Sequence, residues 1–383
     1  MKQLRVLVNA STLNKGGALQ AAVSFIQSAL ADKSIDWCFV LSKEVATELE
    51  RFSGLELKDN PQCWILNSSP ARSVKSRVEL LALERQCKPV VVFTFFGPAY
   101  VKFQAIHLCG VADGWVTHAT PIAFSTLNSF VATLKTLLLL VYKAYWYRQA
   151  NAWVVEAACA KNGLIRRLKI KQDTIYVVPN SCAAHYLSAV DDINQPDFKA
   201  KISILCLSAY YAHKNLEIIP QIAFYIHEIR PELAFEFVLT LPETEPGLSR
   251  IQAIAERLKV GEFIKNIGPV SLLKGPEVYQ NSHMSILPSV LETFSANYPE
   301  AMAMGRPMLT SDLDFARDIC GDAACYFKAD DARDAANQTI ELIENLALRE
   351  QLIANGKRRL KAWPAPSEKY AMYKEIIHKI SGC

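Results

Sequence analysis

The ten cysteines of this 383-residue chain form no Cys-x-x-Cys pair and have no histidine beside them at metal-ligand spacing. A disulfide framework suits chains far smaller than this one, so they read as reduced, mostly buried thiols. Long apolar runs are missing as well. The most apolar stretch, Thr136 to Tyr142, is short and bracketed by Lys135 and Lys143, which falls well below a membrane span. The opening Met1-Lys-Gln-Leu-Arg-Val-Leu-Val-Asn has too little apolar length for a signal peptide. It reads as a first strand, and the expected location is the cytoplasm. No Asp-x-Asp pair is read at a suitable strand end, so no metal is expected. With neither a recognition motif nor a dense basic cluster, nucleic acid is set aside as a partner.

What is present fits two α/β domains. The chain is 51% hydrophobic and exceeds one ordinary domain. Apolar runs alternate with helical patterns: Leu4 to Val8, Trp37 to Leu41, Cys63 to Leu66, Pro89 to Phe95, Ala105 to Val111 and Ala152 to Val155 in the first half. Ile202 to Leu207, Phe235 to Leu241, Phe263 to Ile267 and Met284 to Pro288 continue the pattern in the second. Such alternation predicts doubly wound parallel sheets. The polar stretch 188–201 reads as a linker between domains 1–187 and 202–365. Tyr370 to Ile380 has helical periodicity after the turn Trp363-Pro-Ala-Pro366.

Residues 288 to 312 carry the densest chemistry. Glu292 and Glu300 bracket a strand-to-helix turn, with Tyr298 and Pro299 in the first turn of a short helix and Gly305 just past its end. Between them Phe294, Ser295 and Ala296 offer backbone N–H groups to an anion, and a diphosphate is the natural occupant. Glu300 can accept hydrogen bonds from vicinal hydroxyls such as those of a ribose, or can simply cap the helix dipole.

This segment resembles the Glu-x7-Glu motif of retaining glycosyltransferases with the GT-B fold, of the family-4 (group 1) type. The match continues through Gly305-Arg-Pro-Met-Leu-Thr-Ser-Asp312 and Gly321-Asp-Ala-Ala. It spans the second half and holds more loosely in the first. The resemblance implies two Rossmann-like domains facing a cleft and a sugar-nucleotide donor, UDP- or GDP-linked, with no other cofactor. It also implies transfer with retention to a glycan or lipid-linked glycan acceptor, as in bacterial surface polysaccharide assembly. Donor contacts would come from Gly16, Gly17, Ser208, Lys214, Gly268, Val270, Phe294, Ser295, Ala296 and Glu300. Glu292 and Lys214 would serve the chemistry, and a final helix would cross back to the first domain. Two departures stand out. Ser181 replaces the glycine of the usual Pro-Asn-Gly, and Ser208 or Ala209 stands where the family offers an arginine to the diphosphate, leaving Tyr210, Tyr211 or His213 as substitutes. A sugar-nucleotide epimerase, or an inactive donor-binding subunit, are the alternatives.

On the acceptor side, strand ends draw attention to Asp113 and His107, with His118 behind them, although a lone histidine in an apolar strand is more often a core residue. Charge is uneven: residues 1–183 hold 21 Lys and Arg against 12 acids, and the remainder 21 against 26. Residues 127 to 148 combine apolar bulk, aromatics and cations, which is compatible with a helix on an anionic membrane surface. A core helix is the expected reading, because Leu137 to Val141 is hydrophobic all round.

Overall fold

The computed structural model describes residues 3–14, 16–54, 57, 60–127, 129–189 and 196–382. The chain divides into two compact units, residues 1–118, 134–180 and 364–383 in the first and 119–133 and 181–363 in the second.

The first unit is built on seven strands: β1 (Arg5–Ala10), β2 (Asp36–Ser42), β3 (Cys63–Leu66), β4 (Val91–Thr94), β5 (Ile106–Gly110), β6 (Ala152–Val155) and β7 (Ile175–Val177). All pair in parallel in the order β3-β2-β1-β4-β5-β6-β7. The second unit holds six: β8 (Ile202–Cys206), β9 (Phe235–Leu239), β10 (Ile264–Asn266), β11 (Met284–Leu287), β12 (Met308–Ser311) and β13 (Cys325–Phe327). Their order, β10-β9-β8-β11-β12-β13, is again parallel throughout. Helices cover both faces of a parallel sheet, so its inner strands bury both sides and read as continuous apolar runs. The doubly wound architecture expected from the sequence is therefore present in both units.

Three sequence expectations change. The long segment of the second unit starts at Ser181, ahead of the stretch 188–201 read as a linker, and Tyr186 is buried in that unit against Tyr279; residues 190–195 lie outside the described residues. Ser181 needs no glycine, since it is not among the residues with positive φ. The third change concerns the helix Phe130–Tyr147. Among its described residues only Tyr147 is fully buried, while Leu134, Leu137, Leu138, Leu139 and Val141 are exposed. A run hydrophobic on every side was read as core, but among the described residues no element covers its outer face.

The C-terminal helix Pro366–Ser381 belongs to the first unit. Tyr373, Ile376 and Ile377 join the core formed by β1, β2 and β4. Phe25 sits at the centre of that junction, with ring centroids 5.4 to 5.7 Å from Trp37, Phe93, Phe95, Tyr370 and Tyr373. Polar contacts complete it. Lys374 and Tyr370 both hydrogen-bond Asp32 (2.7 and 2.8 Å), and these donors hold the Asp32 carboxyl well below its usual range against the opposing effect of burial. Lys369, itself buried, lies 3.7 Å from Glu156 and donates to Asn180 at 2.5 Å.

Tyr373 separates packing from hydrogen bonding. Its hydroxyl is buried with no hydrogen-bond partner among the described residues. Tyr373→Phe should therefore be neutral or stabilising, whereas Tyr373→Ala should cost about 3–5 kcal/mol by opening a cavity. Urea unfolding of the two variants checks this; equal destabilisation would assign the hydroxyl an unseen partner.

Candidate functional site

The strand order of each sheet reverses beside its first strand, and in doubly wound sheets ligands bind at the carboxyl ends flanking that reversal. In the second unit the reversal lies between β8 and β11. The connection after β8 runs through Ser208 to a 3-10 turn at Ala212–Lys214, and Asn215 then takes a left-handed conformation (φ 54°). Asn215 interrupts the chain ahead of helix Ile219–Ile229, and its side chain donates to Asp330 at 3.3 Å. The connection after β11 leads through Glu292 to helix Asn297–Ala303.

These two connections converge. Lys214 Nζ meets Glu292 Oε1 at 2.5 Å, with both side chains largely shielded from solvent. The Val290 N–H donates to the His213 carbonyl at 2.8 Å, and the Asn297 side-chain amide donates to the Leu207 carbonyl. A narrow crevice between the strand ends is lined by Ser208, Lys214, Ser289 and Asn297, among others. Two sequence-predicted residues 78 positions apart thus share one ion pair. Its partial burial makes it costlier to break than an exposed pair, because losing one partner strands the other charge.

Glu300 occupies the first turn of helix Asn297–Ala303, as expected, and Gly305 just beyond the helix has φ 58°. Burial pushes the Glu300 carboxyl up to about 7; a hydrogen bond with Tyr186 and the charge of Lys214 oppose that rise. Tyr186 was missed by sequence reasoning. It comes from the four-residue helix Ala184–Leu187, and its hydroxyl lies so close to Gly275 that a Cβ there would sit 1.9 Å away. Nothing local in the sequence marks that contact, which joins residues 89 positions apart.

The remaining donor-side residues fall around the same sheet edge. Ser208 is engaged through its N–H with the Thr240 hydroxyl at 3.1 Å. Tyr210 does not replace the absent arginine in the crevice: it packs on Gly247 and bonds Arg250 and Glu217. Tyr211 and His213 stack on each other at 5.6 Å. Gly268 follows β10 with φ 77°, a conformation that suits glycine, and Val270 is half-buried beside it. Phe294 rests edge-on against Trp363 at 5.7 Å; Ser295 is buried and Ala296 exposed.

In the first unit Gly16 has φ 76° and Gly17 opens helix Gly17–Ala31. The acceptor-side candidates fare differently. Asp113 is tied by Lys143 at 2.7 Å and accepts from the Val116 N–H at 3.4 Å, so its carboxylate organises the local helix Gly114–His118. His107 is 2% exposed, bonded to the Thr94 hydroxyl at 2.8 Å, and burial pushes its pKa down to about 3. It is a neutral core histidine beyond the reach of a substrate. The ring of His118 bonds the Thr117 hydroxyl at 2.7 Å. One Asp-x-Asp pair does follow β12, but Arg317 takes both oxygens of Asp312 at 2.7 and 2.8 Å. Among the described residues no group of three or more His, Cys, Asp or Glu side chains is placed to hold a metal ion. Nine described cysteines are free thiols, all but Cys63 buried.

Residues 192–359 match the family model described as glycosyl transferases group 1. The match lies within the second unit and covers less than half of the chain. Comparison with curated proteins finds no match. Solved structures with the same GT-B architecture do. A glycosyltransferase from Rickettsia africae is 14% identical over 99% of both chains, with a TM-score of 0.71. Anabaena Alr3699/HepE, solved with UDP-glucose, is 12% identical over 99% of this chain and 100% of its own, with a TM-score of 0.71. Sucrose-phosphate synthase from Thermosynechococcus elongatus is 14% identical over 99% of both, with a TM-score of 0.69. At such identities the likeness establishes the fold.

The raised Glu300 pKa carries a sign. A carboxyl whose folded pKa exceeds its unfolded value contributes stability below the unfolded pKa, and that contribution is lost as pH rises through about 7. Glu300→Gln should therefore flatten the fall in melting temperature between pH 4.5 and 7, removing up to about 3 kcal/mol of pH-dependent free energy. An unchanged profile would show that Glu300 ionises freely.

Proposed function

We propose that the protein transfers a sugar from a nucleotide-sugar donor to a glycan or lipid-linked glycan acceptor with retention at the anomeric carbon. The observation that carries this reading is the Lys214–Glu292 pair at the β8/β11 reversal, inside the region that matches the group 1 family. Lys214 would meet the donor diphosphate, with Glu292 holding its ammonium in place. Backbone N–H groups of Phe294, Ser295 and Ala296 would add donors to the phosphates, and Glu300 would accept from the ribose hydroxyls. Gly268 and Val270 would border the base.

In the transfer, the bond between the anomeric carbon and the diphosphate oxygen breaks while the acceptor oxygen bonds to the same face of that carbon. The acceptor proton passes to the departing phosphate oxygen. Charge growing on that leaving group is what Lys214 stabilises electrostatically. The complexes of Alr3699/HepE with UDP and with UDP-glucose, and the lipopolysaccharide outer core galactosyltransferase WaaB among the structural neighbours, support a UDP-linked or similar donor and a role in bacterial surface polysaccharide assembly. Peripheral work at the inner face of the plasma membrane suits a lipid-linked acceptor.

The departure at Ala209 favours one second reading, a donor-binding subunit without turnover, because Tyr210 points to Arg250 rather than replacing the family's arginine. Turnover decides between them. Lys214→Ala should lower transfer from the cognate donor about 100-fold or more, and nuclear magnetic resonance of the wild-type product should show the donor's anomeric configuration kept. Donor binding without product from any acceptor class would establish the inactive subunit, and inversion would remove the same-face mechanism.

A further inference from the structure

From Leu134 onward the helix Phe130–Tyr147 belongs to the first unit, and there it turns an apolar stripe outward. Leu134, Leu137, Leu138, Val141 and Tyr145 recur at helical spacing, and all are exposed, Leu138 by 65% and Val141 by 72%. Scattered apolar side chains on a surface are ordinary, but a contiguous stripe of this length marks an interaction face. The opposite side of the helix is firmly held. Lys143 pairs with Asp113 at 2.7 Å, Arg77 donates to the Tyr142 hydroxyl at 2.6 Å and lies 5.6 Å from the Trp146 ring, and Tyr147 is buried in the core of this unit. The stripe is therefore displayed by a fixed helix and cannot be buried by a roll of that helix.

Charge identifies the occupant. The sequence from Gly114 to Val155 contains no Asp or Glu. At the end of the helix Arg148 donates to the carbonyls of Leu168 and Arg167 at 3.1 and 3.5 Å, which sets it beside exposed Arg166, Arg167 and Lys169. An apolar stripe that ends in an exposed tyrosine and a cluster of cations, without acids, matches a bilayer's headgroup boundary with anionic lipid. No described helix is long and apolar enough to cross a membrane, so the helix would lie in the plane of the surface.

We propose that the Leu134–Tyr145 face is an in-plane anchor that docks the first unit on an anionic lipid surface. Lys143 links this helix to Asp113 just after β5, so docking carries that loop to the bilayer, where a lipid-linked acceptor would be found. Vesicle binding is read without donor or acceptor, so its outcome is independent of the transferase reading.

The test is flotation of the full chain with vesicles of phosphatidylcholine alone and of phosphatidylcholine with phosphatidylglycerol. Binding is expected only to the anionic vesicles and should fall as salt is raised to about 0.5 M. The double variant Leu138→Glu, Val141→Glu should keep the wild-type melting temperature, because both positions are exposed, and should lose binding. Arg166→Glu with Lys169→Glu should weaken binding about five-fold or more for each cation removed. Absence of wild-type binding to anionic vesicles would overturn the proposal. So would a concentration-dependent dimer dissociated by the glutamate variant, which would give the face to a second copy of the chain.

Discussion

Everything proposed for the second unit depends on one topological constraint, the reversal of strand order between β8 and β11. Connections on the two sides of that reversal leave for opposite faces of the sheet, so a crevice opens between the two carboxyl ends. Lys214 follows one strand and Glu292 the other, and the crevice is narrow enough for them to pair at 2.5 Å. The carboxylate fixes an ammonium that would otherwise be a mobile cation on a four-carbon stem. An incoming diphosphate would find that ammonium oriented, with the small residues before helix Asn297–Ala303 beside it.

Burial tunes the Glu300 carboxyl near this crevice, pushing it up to about 7. The hydrogen bond with Tyr186 works against that rise by favouring the charged form. The first unit puts the same effect to another use. Glu156 is raised and Lys369 lowered by desolvation, yet each is the other's partner, and together with Asn180 they secure the C-terminal helix rather than a substrate. The same physics thus yields a raised carboxyl bonded to a tyrosine in one place and a charged structural clasp in another.

The inner strands were legible because strands inside a parallel sheet are buried on both faces and need no alternation; Ala152–Val155 even ends where the apolar run ends. The segments that meet at the crevice were legible too, since Ser208, Lys214 and Glu292 sit in short contiguous motifs at strand ends. Contacts made at long range were not. Tyr186 meets Gly275 through the packing of a short helix, and Asp113 finds Lys143 on a helix whose orientation no local pattern fixes. The helix Phe130–Tyr147 was misread for the same reason: an all-round apolar pattern says that burial is wanted, not by what. Among the described residues, no element provides it for the outer face.

The central claim is a donor diphosphate site on the second unit, and titration calorimetry with UDP, GDP, dTDP and ADP in the presence of a chelator tests it most directly. The account predicts that one of these nucleotides binds without a divalent cation, with an affinity that weakens when Glu300 is replaced by glutamine. If none binds, or if binding is indifferent to Glu300, the Glu292–Glu300 segment is scaffold and the crevice between β8 and β11 serves another ligand.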